Sequence, residues 1–543
     1  MSLLTGRCCG IVWGMLGLLA SVGCEQPLES ASSGKKAPVT SAALPQVDPP
    51  AIGGQAAPQT APATRSPVVV QQPAAPSPSS EAKLYAGWPK PKVALYITGE
   101  QHGYIEPCGC TGLTNQKGGL TRRYSMAQGL RDAGWTVVPL DAGNQVRRYG
   151  RQSEIKFQMT VEGLKKIGYR AIGFGPEDLR LSALELLAIA APTEQQPTPF
   201  VSANVAILDP AVIPTYQIIE AEGVKVGVTA VTGHGLQEKP PSSEIQVMDP
   251  AAALREVWPK LQAEQCSVYV LLAHATIEES QKLAQEFPQF QLVVTAGGLG
   301  DPTYEPMPIA DSRTMFIQVG VKGMYVGVVG VFDDPQRPLR YQRVPLDSRF
   351  ADSREMLQLL ASYQGQLETL GWEGLALRPI PDPTGRKYAG SESCEECHSY
   401  EYEKWEGSKH AHALESLVNP GERSEVPRHF DPECVSCHVV GWNPQQHYPY
   451  ATGYWSREKT PKLEHVGCET CHGPGAEHVA AEQGKAQLTT AELDALRVAV
   501  RLPLEQAERK CMECHDLDNS PEFHKDGAFQ KFWADVEHSQ AKP

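Results

Sequence analysis

The sequence CEECH, at residues 394–398, returns in the same form three more times before the chain ends. The later copies are CVSCH at 434–438, CETCH at 468–472 and CMECH at 511–515. A Cys-x-x-Cys pair alone fits a zinc site or a redox dithiol, and neither requires histidine as the next residue. Every Cys-x-x-Cys of this chain is followed at once by His, so the pattern argues against zinc.

The spacing of the motif matches one prosthetic group. Two thiols three positions apart can each bond to one vinyl group of a haem, and the next residue then places its imidazole on the iron. The four motifs therefore predict four covalently bound c-type haems. The residues predicted to hold them are Cys394, Cys397, Cys434, Cys437, Cys468, Cys471, Cys511 and Cys514, with His398, His438, His472 and His515 as the proximal iron ligands.

The segment that carries the motifs is short for a segment that holds four haems. Successive motifs start 40, 34 and 43 residues apart, so the segment is not a regular repeat array. About 150 residues around four haems leave little apolar sequence for an ordinary core. We therefore expect residues 388–543 to form a mainly helical, loop-rich multihaem cytochrome c domain whose core is the porphyrins.

Two stretches around the motifs resemble the tetrahaem cytochrome c-554 family. They are YAGSESCEECHSYEYEKWEGSKHAHAL at 388–414 and VGCETCHGPGAEHV at 466–479, and the resemblance extends over residues 388–538. Members of that family are electron carriers in which most irons bind a second histidine. The resemblance therefore implies an electron carrier with further histidine ligands.

Twelve of the 15 histidines lie after residue 390. Position in the family-like stretches favours His410, His478 and His538 as second iron ligands, with His429 and His465 next. For each of them the alternative is a surface imidazole or one bonded to a haem propionate. Two neutral imidazoles keep an iron six-coordinate and low-spin, which suits electron transfer and excludes substrate.

The negative charge is concentrated in the same segment. Residues 391–543 contain 15 Lys plus Arg against 27 Asp plus Glu, a net charge of -12 out of -14 for the whole chain. An acidic surface repels a phosphate backbone, so we expect no nucleic-acid partner. Redox proteins are the expected partners, as electron donor and acceptor.

Residues 1–24 have the features of an export signal. A basic residue precedes an apolar run over 11–22, which is too short to span a bilayer and ends just before Cys24. The segment resembles a bacterial lipoprotein signal with Cys24 as the lipidated residue; an ordinary cleaved signal and an uncleaved anchor are the alternatives. We expect a periplasmic or cell-envelope protein that touches the membrane only through a lipid at Cys24.

Two further segments connect the parts of the chain. Residues 25–86 are rich in Pro, Ala, Ser and Gln and predict a disordered linker, since they cannot bury enough apolar surface to offset their ordering entropy. Residues 350–387 contain the helical pattern SREMLQLLASYQGQLETLG followed by a Pro-rich joint, and predict a helical connector.

Residues 87–349 alternate between strand and helix patterns. Apolar runs predict buried strands, and the amphipathic stretches between them predict helices, as in an α/β fold with much parallel pairing. The predicted strands are VALYITG, WTVVPLDAG, YRAIGFG, FVSANVA, SVYVLLAHA and QLVVTAG; the helices include LTRRYSMAQGLRDAG, EIKFQMTVEGLKKIG and TIEESQKLAQEFP. The stretch TMFIQVGVKGMYVGVVGVF at 314–332 predicts a hairpin that turns at Lys322-Gly323.

Motifs within 92–345 resemble the calcineurin-like metallophosphoesterases, specifically their 5'-nucleotidase branch. In order, they are TGEQHGYIEPCGC, KGGLTRR, LDAGN, AIGFGPED, VSANV, LLAHA and VVTAGG. The resemblance implies a four-layer α/β sandwich with a two-metal centre on the loops that leave the strand ends. That chemistry needs oxygen ligands and imidazoles around both ions, with a bridging carboxylate between them.

Most of the ligands that the resemblance implies are missing. The family's Asp-x-His is Glu100-Gln101-His102, its bridging Asp is Asn144, its Asn-His pair is Pro176-Glu177, and its final histidines fall in Gly297–Gly300. Besides His102, only His274 keeps the family's residue type. We therefore predict an inactive phosphoesterase-like domain with no catalytic residue.

Two smaller questions stay open in this domain. His102 and His274 could hold a single ion with Glu100 or Glu177, or they could be ordinary hydrogen-bonded loop residues, so no non-haem metal is assigned. The odd set of Cys108, Cys110 and Cys266 predicts either one disulfide or a metal or redox role for the Cys-x-Cys pair.

Three classes of function follow from the whole sequence. The first is an exported electron-transfer cytochrome, which is more consistent with the motifs than an enzyme. The second is a multihaem oxidoreductase acting on a small substrate at an open haem iron, and an iron without a second ligand would favour it. The third is an active metallophosphoesterase with an attached redox module, against which the lost ligands argue.

Overall fold

The computed structural model describes residues 84–107, 116–148, 150–193, 197–235 and 242–538. All of them belong to one compact unit. The predicted signal with Cys24, nearly all of the predicted linker, and Cys108 and Cys110 lie outside the described residues. Among the helices that are described, none is both long and apolar enough to cross a membrane.

The secondary structure is mixed in the first part and mainly helical in the second. The strands are β1 (Val93–Thr98), β2 (Val137–Asp141), β3 (Ala171–Ile172), β4 (Val205–Ile207), β5 (Gln217–Ala221), β6 (Val224–Thr232), β7 (Ile245–Val247), β8 (Val268–His274), β9 (Leu292–Thr295), β10 (Met315–Gln318), β11 (Tyr325–Val331), β12 (Leu339–Pro345), β13 (Trp442–Asn443) and β14 (Tyr448–Pro449).

The helices run from the first crossover to the end of the described chain. They are α1 (Gly119–Asp132), α2 (Arg151–Ile167), α3 (Ala183–Ala190), α4 (Pro250–Ala263), α5 (Ile277–Glu286), α6 (Arg354–Gly374), α7 (Glu392–Glu395), α8 (Ser399–Glu406), α9 (Glu415–Val418), α10 (Pro432–Val435), α11 (Cys468–His472), α12 (Ala476–Glu482), α13 (Thr490–Ala499), α14 (Leu504–Cys511) and α15 (Ala528–Ala534). Short 3-10 helices cover Asp178–Arg180, Lys409–His412, Gly421–Arg423, Pro461–Leu463 and Pro521–His524.

Two five-stranded sheets form the first part of the chain. One has the strand order β12-β11-β1-β2-β3, and the other has the order β10-β9-β8-β6-β5. Pairing is parallel through β1, β2 and β3 and through β6, β8, β9 and β10, while β11, β12 and β5 pair antiparallel with their neighbours. The predicted parallel pairing is confirmed.

The sheets pack face to face with helices outside. Strand β1 shows why, because alternate side chains of a strand point to opposite faces. Leu95 and Ile97 enter the core between the two sheets, which also contains Val228 and Val270. Tyr96 lies in the core that α1, α2 and α6 cover, and a third core lies under α4 and α5. The predicted four-layer α/β sandwich is therefore confirmed.

The predicted hairpin at Lys322-Gly323 is wrong. Strand β10 pairs with β9 in one sheet, whereas β11 lies between β1 and β12 in the other. The turn itself is present, since Lys322 and Gly323 have φ values of 56° and 60°. Two apolar strands around a tight turn can pair with each other or pass from one layer to the next, and here each strand has a neighbour in its own sheet.

The helix predicted within 350–387 is α6, and it is a packed part of the sandwich. Met356, Leu360, Tyr363 and Leu367 are buried in the core beneath α1 and α2. After α6 the chain enters the mainly helical, loop-rich part, as predicted. The helices there are short, and a small apolar core contains residues such as Leu414, Val440, Trp442 and Tyr454.

Candidate functional site

Each of the four Cys-x-x-Cys-His motifs lies on a short helical turn. In the first and fourth motifs, the backbone N–H of His398 and His515 donates to the carbonyl of the first cysteine at 2.9 Å. This turn brings the two thiols and the imidazole of one motif together. None of the eight motif cysteines forms a disulfide.

The motifs adjoin one another in an order that differs from the chain order. The side chains of Cys394 and Cys468 interact, which places the first motif beside the third. In the same way Cys437 meets Cys514, which joins the second and fourth. Cys471 and Cys511 interact electrostatically and connect the third motif with the fourth. The spatial order of the motifs is therefore first, third, fourth, second.

Three of the four predicted proximal histidines are oriented by a hydrogen bond at Nδ1. His438 Nδ1 donates to the carbonyl of Ala413 at 2.7 Å, and His472 Nδ1 donates to that of Val500 at 2.9 Å. His515 Nδ1 hydrogen-bonds Ser520 Oγ at 3.1 Å. A histidine that ligates a metal commonly donates its other ring N–H in this way, which fixes the tautomer with Nε2 available.

Two of the predicted second ligands lie opposite motif histidines. The ring centroid of His410 is 6.2 Å from that of His515, and the ring of His538 is 5.8 Å from that of His472. A metal ion about 2 Å from each of two opposing imidazole nitrogens holds the ring centroids about 6 Å apart. His478 interacts electrostatically with His398, so each of the three predicted histidines lies near a different motif.

The two remaining candidates have other neighbours. The ring of His429 lies 3.9 Å from that of Phe430. His465 faces His412 at 6.3 Å, and its Nδ1 accepts the backbone N–H of Leu414 at 3.2 Å. A neutral imidazole that accepts at Nδ1 carries its proton on Nε2, and in that tautomer Nε2 has no lone pair for a metal. The contacts of His465 therefore favour a structural role.

Burial keeps the facing imidazoles neutral. Desolvation lowers the pKa of His410, His438, His472 and His515 below the ordinary value for histidine. The neutral form is the one that binds iron, because its free nitrogen carries a lone pair. The donor set of paired thiols and neutral, oriented imidazoles thus fits covalently attached haem.

The degenerate centre of the sandwich contains a buried ion pair. Glu100 receives hydrogen bonds from His102 Nε2, from His274 Nε2 at 2.9 Å and from Asn144 Nδ2 at 3.1 Å. His274 Nδ1 donates to the carbonyl of Ala142 at 2.9 Å, so both of its ring nitrogens act as donors. Burial opposes ionisation of Glu100, but His274 and His102 outweigh it and lower its pKa to about 2. Burial likewise opposes the charge on His274, and Glu100 raises its pKa.

The other ligand positions are closed to metal ligands. A Cβ atom on Gly297 would lie 1.9 Å from the carbonyl oxygen of Ala275, and one on Gly298 would lie 2.2 Å from the side chain of Gln318. Glu177 forms an ion pair with Arg180 at 3.3 Å. Within the described ranges, no group of three or more His, Cys, Asp or Glu side chains is arranged to hold a metal ion. Cys266 carries a free thiol, and its possible partners lie outside those ranges.

Sequence reasoning missed a buried carboxylate near this centre. Asp178 accepts the backbone N–H of Asn144 at 2.8 Å, of Gln145 at 2.7 Å and of Gly175 at 3.0 Å. Burial raises its pKa to about 7. It lies within the family-like motif AIGFGPED, but nothing in that motif marks it as the residue that fixes two loops.

The sequence also gave no sign of the ion pairs that join the two parts of the chain. Glu433, next to the second motif, binds Lys156 at 2.6 Å and Arg148 at 3.1 Å. Asp518, just after the fourth motif, binds Arg147 at 2.8 Å and also contacts Lys322. All four cations come from the sandwich.

Comparison with known proteins identifies the C-terminal part. The family described as cytochrome c554 and c-prime matches residues 393–473, which contain the first three motifs. Residues 393–473 form a cytochrome c554 domain. Cytochrome c-554 of Nitrosomonas europaea is 34% identical over 97 residues, which cover 16% of this chain and 39% of that protein. The chain thus spans less than half of this curated relative, and its fourth motif lies beyond the residues that the cytochrome c554 family matches.

Three solved structures are similar to part of the chain. They are a sulfate thiohydrolase of Thermus thermophilus (14% identity, TM-score 0.43, 52% of this chain and 62% of that one), a 5'-nucleotidase precursor of the same organism (18%, 0.42, 51% and 59%) and a putative 5'-nucleotidase of Staphylococcus aureus (14%, 0.43, 64% and 73%). The four-layer sandwich rests on the order and register of its own strands.

Proposed function

We propose that this protein is an exported multihaem c-type cytochrome that carries electrons through four covalently bound haems. The observation that carries the proposal is the pairing of motif histidines with second histidines at 5.8 and 6.2 Å. When bound, each haem iron supplies a one-electron couple between its ferric and ferrous states. The thiols of the four motifs hold the groups, and His398, His438, His472 and His515 are the proximal ligands.

The second ligands are His410 for the fourth motif, His538 for the third and His478 for the first. Two imidazoles on one iron exclude substrate and keep the geometry nearly the same in both oxidation states, which suits electron transfer. The backbone N–H and C=O groups around the rings fix the tautomers. His538 Nδ1, for example, donates to the carbonyl of Val536 at 2.8 Å.

The contacts between motif thiols support a continuous route. The four attachment points follow one another as first, third, fourth and second, with thiols of neighbouring motifs in contact or close by. The outer positions are the first and second motifs, so these are the expected entry and exit points for redox protein partners. The acidic balance of the segment favours basic partners.

A second function is favoured by one observation at the second motif. His410 interacts electrostatically with His438, but its ring faces His515. His438 is therefore the motif histidine to which none of the three predicted second ligands is assigned. An iron with an open position there would make the protein a multihaem oxidoreductase that acts on a small substrate.

The sandwich is proposed to be an inactive phosphoesterase. The carboxylate and imidazoles that would bind metal neutralise each other in the Glu100–His274 pair. Asn144 cannot bridge two cations, since a neutral amide supplies no charge to hold them together. Gly297 and Gly298 stand in the place of the last ligand pair, and neighbouring atoms leave no room for a larger side chain at either position. These features argue against the third class of function, an active phosphoesterase.

The experiment is a haem count and a spin-state count on the purified full-length protein. We expect four haems per chain and ferric spectra in which at least three are low-spin with two histidine ligands. Two or fewer haems per chain would contradict the cytochrome proposal. Two or more high-spin haems in the unmodified protein would contradict the electron-transfer proposal and favour the oxidoreductase function. Membrane extraction before and after removal of residues 1–24 tests export and the lipid at Cys24.

A further inference from the structure

The contact between the sandwich and the cytochrome part is built from charges of opposite sign. Arg147 and Arg148 follow strand β2, Lys156 lies on α2, and Lys322 lies between β10 and β11. These positions belong to the same edge of the sandwich as the degenerate centre, since Asn144 also follows β2. The edge therefore presents four positive side chains to the cytochrome part. At the same contact one carboxylate of the sandwich, Glu106, pairs with Arg428 of the cytochrome part at 2.8 Å.

The carboxylates that meet these cations lie beside two of the four motifs. Glu433 immediately precedes Cys434, and Asp518 is three residues beyond His515. Two of the four cations are shielded from water, with side-chain exposures of 12% for Lys156 and 10% for Lys322, whereas Arg147 and Arg148 are about half exposed. Salt screens buried charges much less than exposed ones. The fields of Lys156 and Lys322 therefore reach the second and fourth motifs with the least loss.

The carboxylates are ionised in the folded protein. Burial opposes the charge of Glu433, but Lys156 and Arg148 hold its pKa well below its usual range. Burial also opposes the charge of Asp518, and Lys322 and Arg147 lower its pKa. Each carboxylate meets two cations, so the sandwich supplies more positive charge at these contacts than Glu433 and Asp518 supply negative charge.

The first and third motifs have a different environment. Their nearest buried carboxylate is Glu469, within the third motif, and it accepts the backbone N–H groups of Ala389, Gly390 and Gly475 at distances between 2.7 and 2.9 Å. Those donors belong to the cytochrome part itself. The charges of the sandwich thus act on one half of the motif series.

We propose that the sandwich domain sets the reduction potentials of the haems held by the second and fourth motifs, through the cations Arg147, Arg148, Lys156 and Lys322. A nearby positive charge disfavours the ferric state, which carries one more positive charge than the ferrous state, and so raises the reduction potential. Electrons would then be drawn from the first motif toward the second. This gives the inactive domain a role as a positioning and potential-setting partner.

A contribution to folding stability does not by itself explain the ion pairs between the sandwich and the cytochrome part. Buried ion pairs lose solvation as they form, and replacing them by apolar residues is often neutral or stabilising. Six charges at one contact are therefore weak evidence that the contact serves only to hold the two parts of the chain together. Its position beside two cofactor attachment motifs points to an electrostatic role.

The test is a redox titration of the full-length protein and of Lys156→Gln, Lys156→Arg and Arg147→Gln. A unit charge about 10 Å away in a medium of effective dielectric constant about 20 changes a one-electron equilibrium on the order of tenfold. A tenfold change corresponds to about 59 mV for a one-electron couple. We expect Lys156→Gln and Arg147→Gln each to lower one or two of the four midpoint potentials by up to this amount.

Three controls separate charge from packing. Lys156→Arg keeps the charge and should leave the potentials near those of the unmodified protein. The double variant Lys156→Gln/Glu433→Gln removes one charge of each sign and should recover most of the shift. Arg255→Gln breaks an exposed ion pair with Glu286 on the far helices α4 and α5 and should have no effect. Arg147, which is about half exposed, is the variant least able to disturb folding.

The inference rests on the proposed haem binding, and the outcomes distinguish the two. Two or fewer haems per chain in the unmodified protein would contradict the proposed function. With four haems present in every variant, unchanged midpoints in Lys156→Gln and Arg147→Gln would overturn the inference alone. A shift in Lys156→Arg as large as that in Lys156→Gln would also overturn it, because packing rather than charge would then be the cause.

Discussion

Replacing His274 by Gln tests whether the degenerate centre of the sandwich is stabilised by an internal ion pair. Glu100 is only 7% exposed and pairs with His274 at 2.9 Å and also with His102. Its pKa falls from 4.5 to about 2 in the folded protein. At 1.36 kcal/mol for each pKa unit, that fall is worth about 3 kcal/mol. His102 supplies part of this shift and remains in the variant, so we expect His274→Gln to lower the free energy of unfolding by up to about 3 kcal/mol.

The loss should depend on pH in a defined direction. The lowered pKa of Glu100 contributes stability that is present above its unfolded value of 4.5 and is lost as the pH falls toward 2. The raised pKa of His274 contributes stability that is present below its unfolded value of 6.5 and is lost as the pH rises through the higher folded value. The two shifts report one contact and are not added. The difference between variant and unmodified protein should therefore be largest between pH 4.5 and 6.5.

The assay is urea unfolding of the full-length chain followed by tryptophan fluorescence, at about pH 5.5 and about pH 9. The matched control is Glu100→Gln/His274→Gln, which leaves no lone charge and should be more stable than His274→Gln. Equal losses in the single and double variants would refute the ion-pair argument. A chelator that destabilises the unmodified protein as much as the substitution does would also refute it, because a bound metal would then hold the centre.

Three further outcomes are expected. Changing both cysteines of any one motif to Ala should remove one of four haems per chain, measured by a haem assay on denatured protein; an undiminished count in a motif variant would show that the motif holds none. His478→Ala or His538→Ala should convert one haem from low to high spin in ferric spectra, whereas His524→Ala should not, since His524 Nε2 donates to the carbonyl of His515 at 2.8 Å. The protein should not hydrolyse a nucleotide monophosphate with added manganese or zinc, and turnover that His102→Ala abolishes would contradict this.

Local sequence pattern predicted the alternation of strands and helices, whereas the four-layer sandwich followed only from the resemblance to the metallophosphoesterases. The alternation within β1 places Tyr96 on one face and Leu95 on the other, but the apolar period of α2 and α5 does not tell which side of the sandwich each helix covers. Pattern could not decide pairing between strands. The stretch around Lys322 has the same apolar period whether it folds back on itself as a hairpin or joins two sheets. Its strands join two sheets because β10 pairs with β9 and β11 pairs with β1.

The chemistry of the motifs was likewise readable, because the haem attachment residues are adjacent in sequence. The second histidines depend on contacts between distant segments, and position in family-like stretches was the only signal for His410, His478 and His538. No signal separated His465 from them, since the backbone N–H of Leu414 that engages its Nδ1 comes from a distant segment. The cations around Glu433 could not be foreseen either, because they lie on ordinary loop and helix positions of the other domain.

The order in which the motifs adjoin has a consequence for how the cytochrome part is made. Cys394 meets Cys468 and Cys437 meets Cys514, so the two contacts span 74 and 77 residues and interleave along the chain. Contacts this far apart must close long loops before they stabilise anything, which slows folding. Neither the first pair of motifs nor the last pair is a self-contained unit. A chain cut before residue 511 would leave the second motif without its neighbour. The cytochrome part is therefore expected to mature only after its last motif has been translated and delivered.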